Sequence, residues 1–220
     1  KSAIIARRAR GPLSGYEPCS AREPAAAYFY DRCFAVARDL HAVERNRRLA
    51  GAALGYDPVG VPDYGISVPA AALPWLPAGP FAVLLTATSR DDKLWPEANW
   101  LLLGARLAEQ GWRAVLPAGS DVERDRAARI ATGIPGAIAA PSMSLPELAA
   151  LIGGARAVVG VDTGLSHLAV ALDVPTVALY TATEPGLTGV LGAGFCRNLG
   201  GPGRIPEAAD VFDALAVGTS

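Results

Sequence analysis

The sequence predicts an α/β protein built around a parallel β-sheet, and three observations support this. Short apolar runs rich in valine alternate with amphipathic segments from Phe81 onward, as buried parallel strands alternate with helices. The chain contains 24 Gly and 18 Pro among 220 residues, which suits many short elements separated by turns. Its 51% hydrophobic and 19% charged residues, with a mean hydropathy of +0.26, predict a large core and exclude a disordered chain.

The first 60 residues are predicted to be helical. Ser2–Arg10 has the rhythm of a helix end and is followed by a loop over Gly11–Ser20. Arg22–Arg38 and Leu40–Ala53 are predicted as helices, the second of which ends at Gly55. Because their charged residues alternate with apolar ones, these segments are typical of helices with one solvated face.

A proline-rich stretch predicts a linker and a domain boundary. Six prolines fall within Asp57–Pro80, a composition that disfavours regular structure. We assign residues 1–60 to the remnant of one domain, 61–80 to the linker, 81–205 to a second domain, and 206–220 to a closing helix and tail. The chain has no initiator Met and starts in helical rhythm, so we expect it to lack an N-terminal part of the first domain.

Five strands with helices between them are predicted in the second domain. The predicted strands are Phe81–Ala87, Trp112–Pro117, Gly136–Ala139, Ala157–Val161 and Thr176–Tyr180. The predicted helices are Pro96–Gln110, Asp121–Thr132, Leu145–Leu151, Leu165–Leu172 and Ile205–Val217. Because the carboxyl ends of parallel strands meet at one sheet edge, the polar loops that follow them are expected to converge there.

The turn Asp162-Thr163-Gly164 is a candidate phosphate site. It lies between a strand and a helix, whose first amides are free to bind an anion, and Gly164 has no Cβ to keep an oxygen away. His167, one of two histidines in the chain, follows in the first helical turn and is able to donate to an anion or a sugar hydroxyl. An ordinary βα turn beside a structural histidine is the alternative.

The loop after the first predicted strand is a second candidate for phosphate binding. Thr88 and Ser89 offer two hydroxyl donors, and Lys93 offers a compact positive charge for a diphosphate. The alternative is a solvated loop in which its arginine and lysine pair with its two aspartates.

Glu123 and Met143 each have two interpretations. Ser120 and Glu123 have the S-x-x-E spacing of a helix capping box, but a carboxylate at this edge is also placed to accept from both hydroxyls of a ribose. Met143 is the only methionine, and either packs against a flat base or fills a gap in the core.

Charge and cysteine content narrow the function classes. The net charge of −1 argues against a nucleic-acid binder, although residues 1–60 carry ten Lys and Arg against six Asp and Glu. Cys19, Cys33 and Cys196 lack metal-ligand spacing, so free thiols in a reducing cytosol are expected. No apolar stretch of the sequence is long enough to span a bilayer.

Five segments together resemble the ADP-heptose:lipopolysaccharide heptosyltransferase family. They are V-D-T-G-L-S-H-L at 161–168, R-D-D-K-L-W-P at 90–96, T-E-P-G-L-T-G at 183–189, A-R-E-P at 21–24 and H-A-V-E-R at 41–45. The resemblance covers nearly the whole chain and is strongest to the members that add the first heptose. It implies a GT-B glycosyltransferase fold, with an essentially complete C-terminal Rossmann-like domain and the tail of the N-terminal domain.

The resemblance also implies substrates and site residues. The donor is ADP-L-glycero-β-D-manno-heptose, the acceptor is the Kdo of Kdo2-lipid A, and no cofactor or metal is implied. By motif, Lys93 and Asp162 are implied as catalytic. The implied substrate-binding residues are Thr88, Ser89 and Lys93 at the diphosphate, Glu123 at the ribose, Met143 at the adenine, Asp162 at the heptose, Gly164, Leu165 and His167 at phosphate, Arg22 at the anionic acceptor, and Thr163 with no particular group of the substrate assigned to it. Ser89 stands where the family has threonine, which keeps the hydroxyl.

The chain departs from the family at its start. The family begins with a strand and a K-x-x-S-x-G-D loop whose aspartate is the proposed general base, and neither is present in this sequence.

The resemblance implies an inverting transferase that is a monomer. It also implies that the protein is cytoplasmic and associates peripherally with the inner membrane through its basic N-terminal part. An enzyme that adds a later heptose and a non-catalytic nucleotide-sugar binding module are the alternatives. A Rossmann dehydrogenase is disfavoured because no G-x-G-x-x-G follows the first strand.

Overall fold

A computed structural model of the chain describes residues 2–76 and 78–219. Lys1, Pro77 of the predicted linker and Ser220 of the predicted tail lie outside the described residues. The described residues form two compact units. The first contains the residues up to Val61 together with Gly186–Thr188, and the second contains the remainder from Pro62 onward.

The first unit combines short strands with helices. Its elements are α1 (Ser2–Ala6), β1 (Ser14–Tyr16), a 3₁₀ helix (Pro24–Phe29), β2 (Arg32–Phe34) and α2 (Ala42–Leu54). β1 and β2 pair in parallel. The prediction of the second helix is confirmed, including its end, where the residue after α2 is a glycine in the left-handed conformation with φ of 80°.

The predicted helix over Arg22–Arg38 is wrong, and so is the loop predicted over Gly11–Ser20. Pro24 begins only a short 3₁₀ helix, and the chain then extends to pair with a strand inside the predicted loop. The carbonyl of Leu13 accepts from the amides of Asp31 and Arg32 at 2.8 and 3.0 Å. A helix over 22–38 would forgo these long-range bonds, which local periodicity does not reveal.

In the described part of the second unit, six parallel strands form one sheet. They are β3 (Phe81–Leu85), β4 (Arg113–Leu116), β5 (Ile138–Ala139), β6 (Ala157–Val161), β7 (Thr176–Tyr180) and β8 (Cys196–Gly200). Their order across the sheet is β5-β4-β3-β6-β7-β8. This is the 3-2-1-4-5-6 order of the Rossmann fold, so the direction of strand addition reverses between β3 and β6.

Helices cover both faces of this sheet. They are α3 (Glu97–Glu109), α4 (Asp121–Thr132), α5 (Leu145–Gly153), α6 (Gly164–Ala171) and α8 (Ala208–Gly218), with a short α7 (Pro185–Thr188) between β7 and β8. Alternate residues of β3 enter two separate cores: Ala82 and Leu84 pack in a cluster with Trp95 and Trp100, and Val83 packs in the other. A strand buried on both faces explains the continuous apolar runs.

Most of the elements predicted in the second unit are confirmed, with shifts at their ends. The bounds of α4, β6 and β7 agree with the prediction, and α8 begins three residues later than predicted. β8 was not predicted, because its centre is polar: Arg197 and Asn198 lie on an exposed edge strand. Part of the predicted linker is not a free tether, since Leu73, Trp75 and Leu76 pack against the core around Val83.

Candidate functional site

The site lies at the switch point of the sheet, outside the carboxyl ends of β3 and β6. In open α/β sheets this crevice is the usual place for a ligand, because the loops of the two neighbouring strands diverge there to opposite faces. The loop after β3 carries Thr88, and the turn after β6 begins at Asp162. The Thr88 hydroxyl donates to the backbone carbonyl of Asp162 at 2.9 Å, which ties the two loops together.

Lys93 and Asp162 form an ion pair across this crevice. Lys93 Nζ lies 2.8 Å from Asp162 Oδ2, and their side chains are only 17% and 13% exposed. The Thr183 hydroxyl, from the loop after β7, donates to the same carboxylate oxygen at 2.7 Å. Three loops therefore meet on one carboxylate.

The protonation of Asp162 follows from these contacts. Burial alone would raise the pKa of Asp162, but the hydrogen bonds from Lys93 and Thr183, together with the charges of Lys93 and His167, outweigh it. The pKa of Asp162 is therefore held below its ordinary value. At neutral pH the group is a carboxylate that is able to accept further hydrogen bonds.

The loop that carries Lys93 is anchored at several points. Asp91–Lys93 form a 3₁₀ turn, and the Thr181 hydroxyl donates to the carbonyl of Asp92 at 2.7 Å. Arg90 pairs with the Asp92 side chain. The solvated-loop alternative is therefore right for Arg90 but wrong for Lys93, which pairs with Asp162 in the turn after β6.

A cleft of about 280 Å³ opens beside this pair. Among the predicted site residues, those lining it are Thr88, Ser89, Glu123, Met143, Thr163 and Leu165. Apolar groups, including Leu85 and Leu148, form the rest of the wall. An apolar pocket with a few polar groups converging at one end is the usual form of a small-ligand site.

Helix α6 points its amino end at the same crevice. Its N-cap residue, Thr163, makes no side-chain capping bond, so the first amides of the helix keep their capacity to bind an anion. A Cβ added to Gly164 would meet no atom within 4 Å, so the space there is open. His167 lies in the first turn, partly buried.

Two further side chains hold this turn in place. Ser166 is 1% exposed and donates from Oγ to the carbonyl of Val161 at 2.8 Å, joining the helix to the end of β6. Gly160 leaves room for that contact, because a Cβ on it would overlap Ser166 Oγ. The sequence alone predicts a role for neither Gly160 nor Ser166.

Glu123 and Met143 have the structural roles predicted for them, and both also line the cleft. The capping box is present: Glu123 Oε2 accepts from the amides of Gly119 and Ser120 at 2.8 and 3.2 Å. Its other carboxylate oxygen receives no hydrogen bond from the described residues. Met143 packs against the core around Val83 and also lines the cleft.

Trp95, which the sequence presents only as a member of the R-D-D-K-L-W-P segment, is a structural anchor. It is fully buried, with its ring edge-to-face against Trp100 at 4.8 Å between centroids. Its indole Nε1 donates to the carbonyl of Pro206 at 2.9 Å. This fixes the end of the loop that carries Lys93, and a tryptophan in an otherwise polar loop was the available signal.

Arg22 is not part of this cluster. It belongs to the first unit, where it is exposed at a cavity of about 470 Å³ that Tyr16, Tyr30 and Arg45 also line. Across residues 2–76 and 78–219, no helix is both long and apolar enough to cross a bilayer. Those same residues include no grouping of three or more His, Cys, Asp or Glu placed to hold a metal ion.

A Rossmann-like sheet with a polar crevice and an uncapped helix amino end at its switch point is the architecture typical of nucleotide-binding α/β domains. Comparison with known proteins then identifies the family: the chain belongs to glycosyltransferase family 9 (heptosyltransferase), whose family model matches residues 1–200. This confirms the predicted resemblance and the predicted GT-B-type Rossmann-like fold class.

Curated relatives and solved structures agree with that family. The chain is 47% identical over 194 residues to lipopolysaccharide heptosyltransferase 1 of Pseudomonas aeruginosa, covering 87% of this chain and 54% of the relative. It is 44% identical over 192 residues to the enzyme of the same name from Escherichia coli K12, covering 87% and 60%. It matches the structure of E. coli heptosyltransferase WaaC with ADP at a TM-score of 0.81 and 37% identity, covering 99% of this chain and 69% of that one. The chain thus spans only part of the length of these relatives.

Proposed function

We propose that this chain carries the donor-binding part of a heptosyltransferase, which moves L-glycero-D-manno-heptose from ADP-L-glycero-β-D-manno-heptose to the Kdo of Kdo2-lipid A. The observation that carries the proposal is the ion pair between Lys93 and Asp162 beside the cleft at the sheet's switch point. The names of the relatives, and the solved structure of one with ADP, support the choice of donor.

The nucleotide would occupy the cleft. Met143 would contact the adenine, and the carboxylate oxygen of Glu123 outside the capping box would accept from the ribose hydroxyls. Thr88 and Ser89 would donate to the diphosphate, with Lys93 as its counter-charge.

Helix α6 would hold the phosphate nearest the sugar. The amides of Gly164 and Leu165 belong to the uncapped first turn, where the helix dipole favours negative charge. His167 would donate to phosphate from the same turn. Asp162 and Thr163 would contact the heptose, because a carboxylate held ionised accepts from sugar hydroxyls.

The proposed reaction is a single displacement with inversion. A Kdo hydroxyl oxygen attacks the anomeric carbon of heptose, the bond from that carbon to the phosphate oxygen breaks, and the electron pair leaves with ADP. The hydroxyl proton passes to a general base, which we expect in a longer form of the protein. Lys93 and the α6 amides stabilise the charge that develops on the departing diphosphate, and stabilisation of this kind is commonly the largest single term in enzyme catalysis.

The acceptor would determine the subcellular location of the protein. Kdo2-lipid A is a membrane lipid with anionic groups, and Arg22 and its basic neighbours in residues 1–60 provide a matching charge. We therefore propose a cytoplasmic monomer that associates peripherally with the inner membrane. Full-length protein should co-sediment with anionic vesicles, and should lose this binding at high salt.

A transfer assay in the full-length protein tests the proposal. Lys93→Ala should lower the turnover of heptose from ADP-heptose to Kdo2-lipid A by about 10²-fold or more, as for loss of a group that stabilises transition-state charge. Asp92→Asn is the matched control, because Asp92 lies in the same loop but pairs with Arg90, and its turnover should be nearly unchanged. Unchanged turnover for Lys93→Ala would refute the role of Lys93.

The binding-module alternative needs a separate measurement on the chain as given. Calorimetry with ADP-heptose would show whether residues 1–220 bind the donor, and product analysis with Kdo2-lipid A would show whether they transfer it. Binding without product would mean that this chain alone is a nucleotide-sugar binding module.

A further inference from the structure

The cation proposed for the diphosphate already has a partner. Lys93 Nζ is 2.8 Å from Asp162 Oδ2, and both side chains are more than four-fifths buried. The carboxylate is not an adaptable surface group, since Thr183 donates to the same oxygen and Thr88 holds the Asp162 backbone. A ligand that uses Lys93 must therefore bind beside a fixed negative charge.

That charge opposes any anion at Lys93. A phosphate oxygen bonded to Lys93 Nζ would lie within about 6 Å of Asp162 Oδ2, because each charge-assisted hydrogen bond spans about 2.8 Å. Like charges this close repel appreciably where water is partly excluded. A bare nucleoside diphosphate brings its full charge to this point and no hydrogen-bond donor to compensate Asp162.

A nucleotide sugar changes this balance in two ways. Esterification removes one charge from the terminal phosphate, and the attached sugar brings hydroxyl donors to the position next to that phosphate. Those donors are able to replace Lys93 as partners of Asp162, while Thr183 keeps its bond to Oδ2. The buried carboxylate then remains satisfied when Lys93 turns to the diphosphate.

We propose that Asp162 is a specificity-determining residue that selects a hydroxylated nucleotide sugar over the bare nucleoside diphosphate by penalising an anion at Lys93. This inference rests on the proposed function, since it takes the diphosphate to bind at Lys93. The same carboxylate also weakens the affinity of the site for ADP. After transfer, the product carries a free terminal phosphate beside Asp162 and no sugar, so its release is favoured.

Affinity measurements on three variants test this inference. Dissociation constants for ADP and for ADP-L-glycero-β-D-manno-heptose are measured by calorimetry on the full-length protein without acceptor, for wild type, Asp162→Asn, Lys93→Met and Asp92→Asn. Asparagine keeps the shape of Asp162 and an oxygen to accept from Thr183. Asp92→Asn removes one negative charge from the same loop, at a side chain that is 48% exposed and paired with Arg90.

Asp162→Asn should bind ADP about tenfold more tightly than wild type, which corresponds to about 1.4 kcal/mol. Its preference for ADP-heptose over ADP should fall by about tenfold or more. Asp92→Asn should change both affinities by less than about twofold because its charge is exposed and screened. Urea midpoints and near-UV circular dichroism establish that each variant is folded.

The outcomes separate this inference from the function on which it rests. ADP binding by Asp162→Asn that is unchanged or weaker would overturn the inference, and so would an equal gain by Asp92→Asn. If Lys93→Met leaves ADP affinity unchanged, the proposed placement of the diphosphate fails instead. Weaker ADP binding by Lys93→Met, together with no gain by Asp162→Asn, would leave the proposed function standing and refute the selective role of Asp162.

Discussion

Removing the ammonium of Lys93 should destabilise the second unit, because it leaves a mostly buried carboxylate without its counter-charge. Lys93→Met keeps much of the aliphatic stem and removes only the charge and its hydrogen bond. Asp162 would then rely on Thr183 as its remaining side-chain donor. The size of the effect reports how strongly the two loops are joined at the switch point.

The geometry sets the expected magnitude. Exposed ion pairs contribute about 0.2–1 kcal/mol, whereas breaking a fully buried one costs about 3–5 kcal/mol. This pair, at 2.8 Å with 17% and 13% exposure, lies between those limits and retains one hydrogen bond from Thr183. We therefore expect Lys93→Met to lower the free energy of unfolding by about 2 kcal/mol.

Urea unfolding followed by tryptophan fluorescence is the appropriate assay. All four tryptophans, Trp75, Trp95, Trp100 and Trp112, belong to the second unit, so the signal reports that unit. A double-mutant cycle with Asp162→Asn should give a coupling energy of about 1–2 kcal/mol between the two side chains. Asp92→Asn, the exposed control, should change stability by less than about 0.5 kcal/mol.

A coupling energy below about 0.3 kcal/mol would refute the reasoning, because independent sites add within that margin. It would mean that the ion pair contributes no net stability, despite its burial and distance. A large effect of Lys93→Met without coupling to Asp162 would place its cause elsewhere in the loop.

Three further predictions concern the same crevice. Because the pKa of Asp162 is depressed in the folded state, its contribution to stability is present at neutral pH and is lost as pH falls through its folded pKa. The difference in urea midpoint between wild type and Asp162→Asn should therefore shrink progressively as the pH is lowered below about 4, the ordinary pKa of an aspartate. Gly160→Ala should lower the free energy of unfolding by about 1–3 kcal/mol in the same urea assay, because its Cβ overlaps Ser166 Oγ. Gly164→Ala faces open space, so it should leave the urea midpoint unchanged or raise it. The same variant should weaken ADP binding in calorimetry. Trp95→Phe should cost about 1–3 kcal/mol in thermal unfolding, since it leaves the buried carbonyl that accepts from the indole without this donor; an unchanged melting temperature would contradict the anchoring role.

The central strands and helices of the second unit were accessible from the sequence because their signals are local. β6 and β7 are continuous apolar runs, as burial on both faces requires. The start of α4 is set by the capping box of Ser120 and Glu123, which lies within four residues of sequence. The family motifs predicted that Lys93 and Asp162 belong to the site, although the sequence did not indicate that the two side chains would form an ion pair.

Elements that depend on distant partners were missed. β1 and β2 are three residues each and exist because they pair with one another, which overrides the helical appearance of the residues around Pro24. β8 has an exposed polar centre and is held by its ladder to β7. A short strand has no periodicity of its own long enough to distinguish it from a loop.

The sequence by itself therefore determined which loops would be polar, where the main strands and helices lie, and which residue types stand after each strand. The tertiary structure decided that β3 and β6 are neighbours, which brings Lys93 and Asp162 within 2.8 Å although 69 positions separate them in the chain. It also decided that the Thr183 hydroxyl donates to the Asp162 carboxylate and that the Trp95 indole donates to the carbonyl of Pro206. The reason is physical: strand order is set by how both faces of the sheet are buried, a property of the whole domain that no single segment encodes.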